Sequence, residues 1–225
     1  MTRRGSETTS TDDEHAKRRA RMVERQLRGR GIEDEAVLKA MGEVPRERFV
    51  PSEQRRRAYR DGALPIGEKQ TISQPWVVAR MTELLELEGE ERVLEVGTGS
   101  GYGAAVLSRC SSHVVTIERH PALAARARET LAELGYRNVE VREGDGTRGV
   151  PDRAPFDGIS VTATASGDAP PDLRDQLAPG APLVCPLRRR GGGHRVGFRG
   201  GVEEGVGPGR FVPLVTDSEE EPPTE

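Results

Sequence analysis

A chain of 225 residues is long enough to bury one substantial apolar core, and nothing in its length demands a second. Its 34 Lys and Arg against 37 Asp and Glu give a formal net charge of −3, which argues against a dedicated nucleic-acid binder. No apolar stretch approaches the ~20 residues of a membrane helix, the polar opening MTRRGSETTSTDDEH has no apolar signal region, and Cys110 and Cys185 show no metal or redox spacing. The expectation is a cytoplasmic monomer with reduced cysteines and no metal centre, partnered by neither membrane nor nucleic acid.

Residues 1–13 are polar without periodicity and are expected to be disordered. Over 15–30, Ala20, Val23 and Leu27 recur at helical spacing on an arginine-rich segment that Gly29 and Gly31 can end. A second helix is expected over 33–41, before Pro45. Residues 48–75 read as mostly irregular, a run long enough to suggest a functional loop. Pro75 then opens a helix carrying Val77, Val78, Met81, Leu84 and Leu85.

From residue 92 strands and helices alternate: a strand over 92–96, a helix over 102–110, a strand over 113–117 and a helix over 121–134. Pro121 stands in that helix's first turn and Gly135 just past its end. Strands over 139–142 and 156–161, a helix over 172–177 and a strand over 182–186 continue the pattern. The alternation implies an α/β fold with a Rossmann-like, doubly wound, mostly parallel sheet. The glycine-rich stretch 188–215 suggests an antiparallel C-terminal hairpin at the sheet edge. The expected organisation is one domain over 14–215 between a disordered tail and an acidic tail over 216–225. Within it, 14–75 supply N-terminal helices and a lid, 76–187 the cofactor-binding core, and 188–215 the hairpin.

Where the first core strand turns into a helix, the chain reads Glu95-Val96-Gly97-Thr98-Gly99-Ser100-Gly101-Tyr102. Glycines there permit close backbone approach to a ligand, and the following helix start offers free N–H groups. A dinucleotide enzyme would want a third glycine where Tyr102 stands, so the pattern disfavours an NAD-dependent oxidoreductase. It resembles instead the first motif of class I methyltransferases. Glu118, 23 positions beyond Glu95, ends the second strand, where a carboxylate can accept from both ribose hydroxyls. Asp145, followed by Gly146, stands just after the third strand and can accept from an adenine amino group; as a bare motif it is also an Asp-Gly turn.

The segment Gln70-Thr71-Ile72-Ser73-Gln74-Pro75-Trp76, with VVARMTELL after it, resembles the signature of protein-L-isoaspartate O-methyltransferases. MVERQLRGRGI (22–32), PRERFVP (45–51), AYRDGALPIG (58–67), APFD (154–157), DQLAPG (175–180) and RFVPL (210–214) resemble the same family, so the likeness covers roughly 20–215. The resemblance implies transfer of a methyl group from S-adenosylmethionine, leaving S-adenosyl-L-homocysteine, to the free carboxylate of L-isoaspartyl or D-aspartyl residues in damaged proteins. It also implies the site: Ser73 as the active-site residue, Gln70, Thr71 and Ile72 beside cofactor and substrate, and 210–214 presenting the peptide. By residue type alone Ser73 reads as a helix N-cap or turn serine before Pro75. An ionised carboxylate needs no strong base, consistent with the scatter of His15, His113, His120 and His194.

The likeness departs at 162–167, after Pro186, where Leu187 and Arg188 replace a glycine turn, and across the Arg- and Gly-rich 188–209. Two alternatives stay open on these grounds: a related aspartate methyltransferase tailoring a ribosomally made peptide, and a diverged methyltransferase-like protein of reduced activity.

Overall fold

The computed structural model describes residues 5–165, 169–188, 194–197 and 213–214. Helix α1 (Gly5–Met22) runs into one turn of π-helix (Val23–Leu27) and a 3₁₀ turn (Arg28–Arg30), which Gly31 ends in the left-handed region at φ 85°. The helix expected over 15–30 is therefore three joined pieces. It also begins at Gly5, which corrects the expectation of disorder for residues 5–13. A polar composition does not break a helix, and once a turn exists each further residue adds a backbone bond; on the exposed face Glu14 pairs with Arg18 one turn on.

Helix α2 (Glu35–Glu43) starts at Asp34, whose carboxylate accepts from Ala36 N at 2.8 Å and Val37 N at 3.1 Å. Its face of Val37, Leu38, Ala40 and Met41 is buried. The run expected to be irregular contains two 3₁₀ turns (Arg46–Phe49 and Ser52–Arg57) and an antiparallel hairpin, β1 (Leu64–Gly67) with β2 (Gln70–Ile72). Leu64 and Ile66 face inward while Pro65 and Gly67 face out. Gly67, Glu68 and Lys69 turn the hairpin in the left-handed region. Two of those three are not glycine, which hides the turn from a sequence reading. Helix α3 (Pro75–Glu83) follows with its proline in the first turn.

The core is a six-stranded sheet. Strand β3 (Arg92–Val96) leads through α4 (Tyr102–Leu107) to β4 (His113–Glu118), then through α5 (Pro121–Glu133) to β5 (Val139–Glu143). The chain returns to the other side of β3 as β6 (Gly158–Val161), then passes α6 (Pro171–Arg174) to β7 (Leu183–Arg188) and β8 (His194–Gly197). The order is β5-β4-β3-β6-β7-β8; the first five are parallel and β8 is antiparallel to β7. The predicted hairpin is present in β7–β8, and residues 189–193, 198–212 and 215 of its expected range lie outside the described residues. Side chains alternate between faces. Val93 and Val114 pack toward α2, α3 and α4, whereas Leu94, Val96, Val115 and Ile117 pack with Ile159 and Leu173 on the opposite face. Because the chain winds outward in both directions from between β3 and β6, a crevice opens at the carboxyl ends of these strands. Among the described residues no helix is long and apolar enough to cross a membrane.

Candidate active site

At the end of β3 the backbone must reverse within a few residues, and Gly97, Gly99 and Gly101 do so at φ 97°, 54° and 87°. Gly97 N donates to Ile117 O at 2.9 Å and Gly101 N to Thr98 O at 2.8 Å, so the loop is tied to β4 and to itself. Thr162, at the end of β6, donates its hydroxyl between Val96 O (3.0 Å) and Gly97 O (2.8 Å). A side chain at 97 would collide with that hydroxyl.

Glu95 projects from β3 toward α4 and is 2% exposed. Its carboxylate accepts from Thr116 Oγ1 at 2.7 Å, and Thr116 lies 2.7 Å from the Thr98 hydroxyl, so a chain of three side chains joins β3, β4 and the glycine loop. Burial pushes the Glu95 carboxyl up to about 8, against the opposing pull of the Thr116 bond and of Ala104 N. Gly103 is what admits this carboxylate beneath the start of α4, since a β-carbon there would overlap Oε1.

Glu118 ends β4 with its carboxylate 19 residues from the loop it grips. Oε2 accepts from Gly99 N at 2.8 Å and Oε1 from His120 N at 3.0 Å. Each oxygen keeps acceptor capacity for a further donor, as two vicinal hydroxyls would supply. The neighbouring Arg119 and His120 also line the cavity, a role their sequence context did not signal. Asp145 caps a 3₁₀ turn and accepts from Thr147 N at 2.9 Å and Thr147 Oγ1 at 2.7 Å. Its neighbour Gly146 reaches the cavity wall, held so close to Val96 that no side chain would fit.

The second wall comes from a distant stretch of sequence. Gln70, Thr71, Ile72 and Ser73 border the same cavity as Glu95, Gly97, Thr98, Gly99, Ser100, Tyr102, Glu118 and Gly146. Of the residues expected there, Asp145 and Gly101 do not form its lining; Gly101 instead packs toward Ala127 and Leu131 of α5. Ser73 does not cap α3, whose N-cap is Gln74 without a side-chain cap bond. Among the described residues its hydroxyl has no hydrogen-bond partner, while its carbonyl accepts from Arg46 Nη2 at 2.7 Å.

Arg46 is fully buried, an arginine that sequence pattern could not separate from the many exposed ones. Its Nε donates to Ala58 O at 2.8 Å, its guanidinium lies 4.7 Å from the centre of the Tyr102 ring, and among the described residues its Nη1 has no partner. One cation thus ties the Ser73 segment, the chain at Ala58 and the glycine loop's Tyr102 together. Above the loop, Ile66 of the hairpin reaches Gly99, and Arg126 of α5 pins the hairpin by donating to Ile66 O at 2.9 Å. Pro213 and Leu214 close the far side, joined to the segment after β6 through Leu214 N, which donates to Thr164 O at 2.8 Å. Residues 210–212, also expected at the site, lie outside the described residues.

A parallel sheet of this order, with a glycine loop after β3 and an acidic residue ending β4, defines a methyltransferase of the Rossmann-like class. The profile of the protein-L-isoaspartate(D-aspartate) O-methyltransferase (PCMT) family matches residues 17–216, and the chain belongs to this family. The protein-L-isoaspartate O-methyltransferase of Synechococcus sp. (strain JA-2-3B'a(2-13)) is 51% identical over 214 residues, covering 90% of this chain and 87% of its own. Protein-L-isoaspartate O-methyltransferase 1 of Syntrophobacter fumaroxidans is 52% identical, covering 88% and 94%. A solved protein-L-isoaspartate O-methyltransferase superposes with a TM-score of 0.77 at 28% identity, over 88% of this chain and 66% of that one. A β-aspartate methyltransferase from Plasmodium falciparum, solved in complex with S-adenosyl-L-homocysteine, shares the fold with a TM-score of 0.71 at 24% identity, over 88% and 98%.

Proposed function

We propose that this chain methylates the free carboxylate of L-isoaspartyl and D-aspartyl residues in damaged polypeptides, using S-adenosylmethionine and releasing S-adenosyl-L-homocysteine. The observation that carries this is convergence: the free hydroxyl of Ser73 shares one cavity with the glycine loop and Glu118, segments that lie far apart in sequence.

The residues fit such a cofactor. Gly97, Gly99 and Gly146 present bare backbone to the cavity, and Glu118 has acceptor capacity left for ribose hydroxyls. Bound there, S-adenosylmethionine supplies a methyl group on a sulfonium, an electrophile that needs only a well-placed nucleophile. The substrate carboxylate is that nucleophile and is ionised at neutral pH, its ordinary pKa being about 4. Ser73 therefore acts by donating a hydrogen bond that fixes one carboxylate oxygen while the other points at the methyl carbon. Orientation of this kind can contribute about 7–11 kcal/mol to lowering a barrier. The β1–β2 hairpin over Gly99 keeps water from the reacting atoms. After release, the backbone nitrogen of the following residue attacks the ester carbonyl and expels methanol. Hydrolysis of the resulting succinimide returns part of the damaged chain to normal aspartate. The same reading takes the enzyme as a cytoplasmic monomer that works without membrane or nucleic acid, which the net charge of −3 favours.

Incubation with tritiated S-adenosylmethionine and paired peptides, one isoaspartyl and one aspartyl, tests the proposal. Base-labile label on the isoaspartyl peptide alone is the expected outcome; label on neither, despite measurable cofactor binding, refutes it. Ser73→Ala should keep cofactor affinity and lose turnover at least tenfold. Lost cofactor binding instead would place Ser73 in the cofactor's own site.

A further inference from the structure

Outside the active-site cavity, a second groove of about 540 Å³ runs between the end of α1 with its π-turn and the segment after the second 3₁₀ turn. Arg18, Arg21, Arg25, Arg56 and Arg60 line it, with Tyr59 and Gln26. Arg18, Arg21 and Arg25 follow at three- and four-residue spacing, which sets them on one helix face. Arg18 is satisfied by Glu14 and by Arg56 O at 3.0 Å. Among the described residues Arg21, Arg25, Arg56 and Arg60 have no carboxylate within 4.0 Å. Four unpaired guanidiniums around one concavity repel one another and attract anions. Their planar forks suit carboxylates in particular.

The groove's place narrows the ligand. Tyr59 and Arg60 directly follow Ala58, and the carbonyls of Ala58 and Ser73 are both held by the one guanidinium of Arg46. Asp61 then accepts from the Gln74 side chain at 2.6 Å. The strip 58–61 is thus stitched along the strip 73–74, and the groove adjoins the mouth where the methyl acceptor enters.

We infer that this arginine groove docks an acidic stretch of the damaged polypeptide, so that the enzyme favours isoaspartyl sites flanked by several carboxylates. The inference rests on the isoaspartyl reading above. Steady-state methylation of six isoaspartyl peptides, with a Glu, Ser or Lys triplet placed on one side or the other of the isoaspartate, tests it. The expected result is a KM about tenfold lower for one acidic-flanked peptide than for its neutral counterpart, the advantage shrinking as salt rises. In the Arg21→Gln/Arg25→Gln/Arg56→Gln/Arg60→Gln variant, the acidic-to-neutral ratio should fall to about one. Arg25→Gln/Arg60→Gln gives the same comparison at an intermediate ratio if the fourfold variant does not fold. Equal KM for acidic and neutral flanks in the parent overturns the inference while sparing the isoaspartyl reading. A preference that survives in both variants overturns it too. A preference seen only after removal of residues 216–225 would give the groove to that acidic segment, and tight binding of a DNA oligonucleotide without a flank preference would give it to nucleic acid; either result overturns it. Failure to methylate any isoaspartyl peptide removes the underlying reading and the inference with it.

Discussion

Gly103→Ala sets two effects of opposite sign against each other. Alanine is the better helix former, and in α4 it should add about 1 kcal/mol. Against this, a β-carbon at 103 would overlap Glu95 Oε1 and stand 3.4 Å from its Cδ. Glu95 has little room to retreat, because Thr116 Oγ1 holds its carboxylate at 2.7 Å and the side chain is 2% exposed. Overpacking of this kind costs about 1–3 kcal/mol, and weakening the buried carboxylate's hydrogen bonds adds about 1–3 kcal/mol. The net expectation is a loss of about 3 kcal/mol, or a Tm lowered by roughly 6–12 °C in a domain of this size. Urea unfolding of the variant measures the stability, and calorimetric titration with S-adenosylmethionine should show weaker binding as Glu95 shifts under the glycine loop. Glu95→Asp shortens the obstructing side chain, so the double variant should lose at least about 1 kcal/mol less than the two single losses added together. A Gly103→Ala protein as stable as its parent, or strict additivity with Glu95→Asp, would refute the claim that Gly103 exists to admit this carboxylate.

Three further outcomes follow from the same geometry. Arg46→Met removes a buried cation that no carboxylate neutralises among the described residues, while orphaning two carbonyls; these opposing terms of several kcal/mol each should leave urea stability within about 2 kcal/mol of the parent while methylation falls at least tenfold, and a loss of activity that merely tracks unfolding would count against a positioning role. For Glu95 the folded carboxyl titrates near 8 and the unfolded one near 4.5, so the folded state holds the extra proton between these values and the stability of the apo protein should decline as pH rises from about 4.5 through about 8; Glu95→Gln should flatten that decline in urea titrations across the window, and an unchanged slope would show that Glu95 is not its source. Arg126→Met cuts the tie from α5 to the β1–β2 hairpin, and amide exchange at Ile66 and Ile72 should quicken with a raised KM for cofactor and little change in overall stability; unaltered exchange would mean that the hairpin is held by its other contacts.

What the sequence revealed and what it concealed divide along a physical line. The β3–α4 loop and Glu118 were readable because they are local: a glycine spacing forced by the backbone and an acidic residue at a strand end carry their signal within a few positions. The hairpin of β1 and β2 was not, because Glu68 and Lys69 occupy left-handed positions where glycine or asparagine would have announced a turn. Asp145 illustrates the converse, since its local Asp-Gly pattern fits a ligand contact and a capping turn equally, and its carboxylate accepts both donors of Thr147. Arg46 was invisible for a different reason. In a chain whose basic residues are nearly all arginine, a buried guanidinium differs from its solvated neighbours only through Ala58, Ser73 and Tyr102, partners 12, 27 and 56 positions away. Its role is defined by long-range hydrogen bonds that no periodicity encodes. The family likeness around Ser73 named the reacting segment, but only the three-dimensional arrangement explains how that segment is held against the glycine loop: a single cation joins them, and the arginine groove begins one residue beyond its other anchor at Ala58.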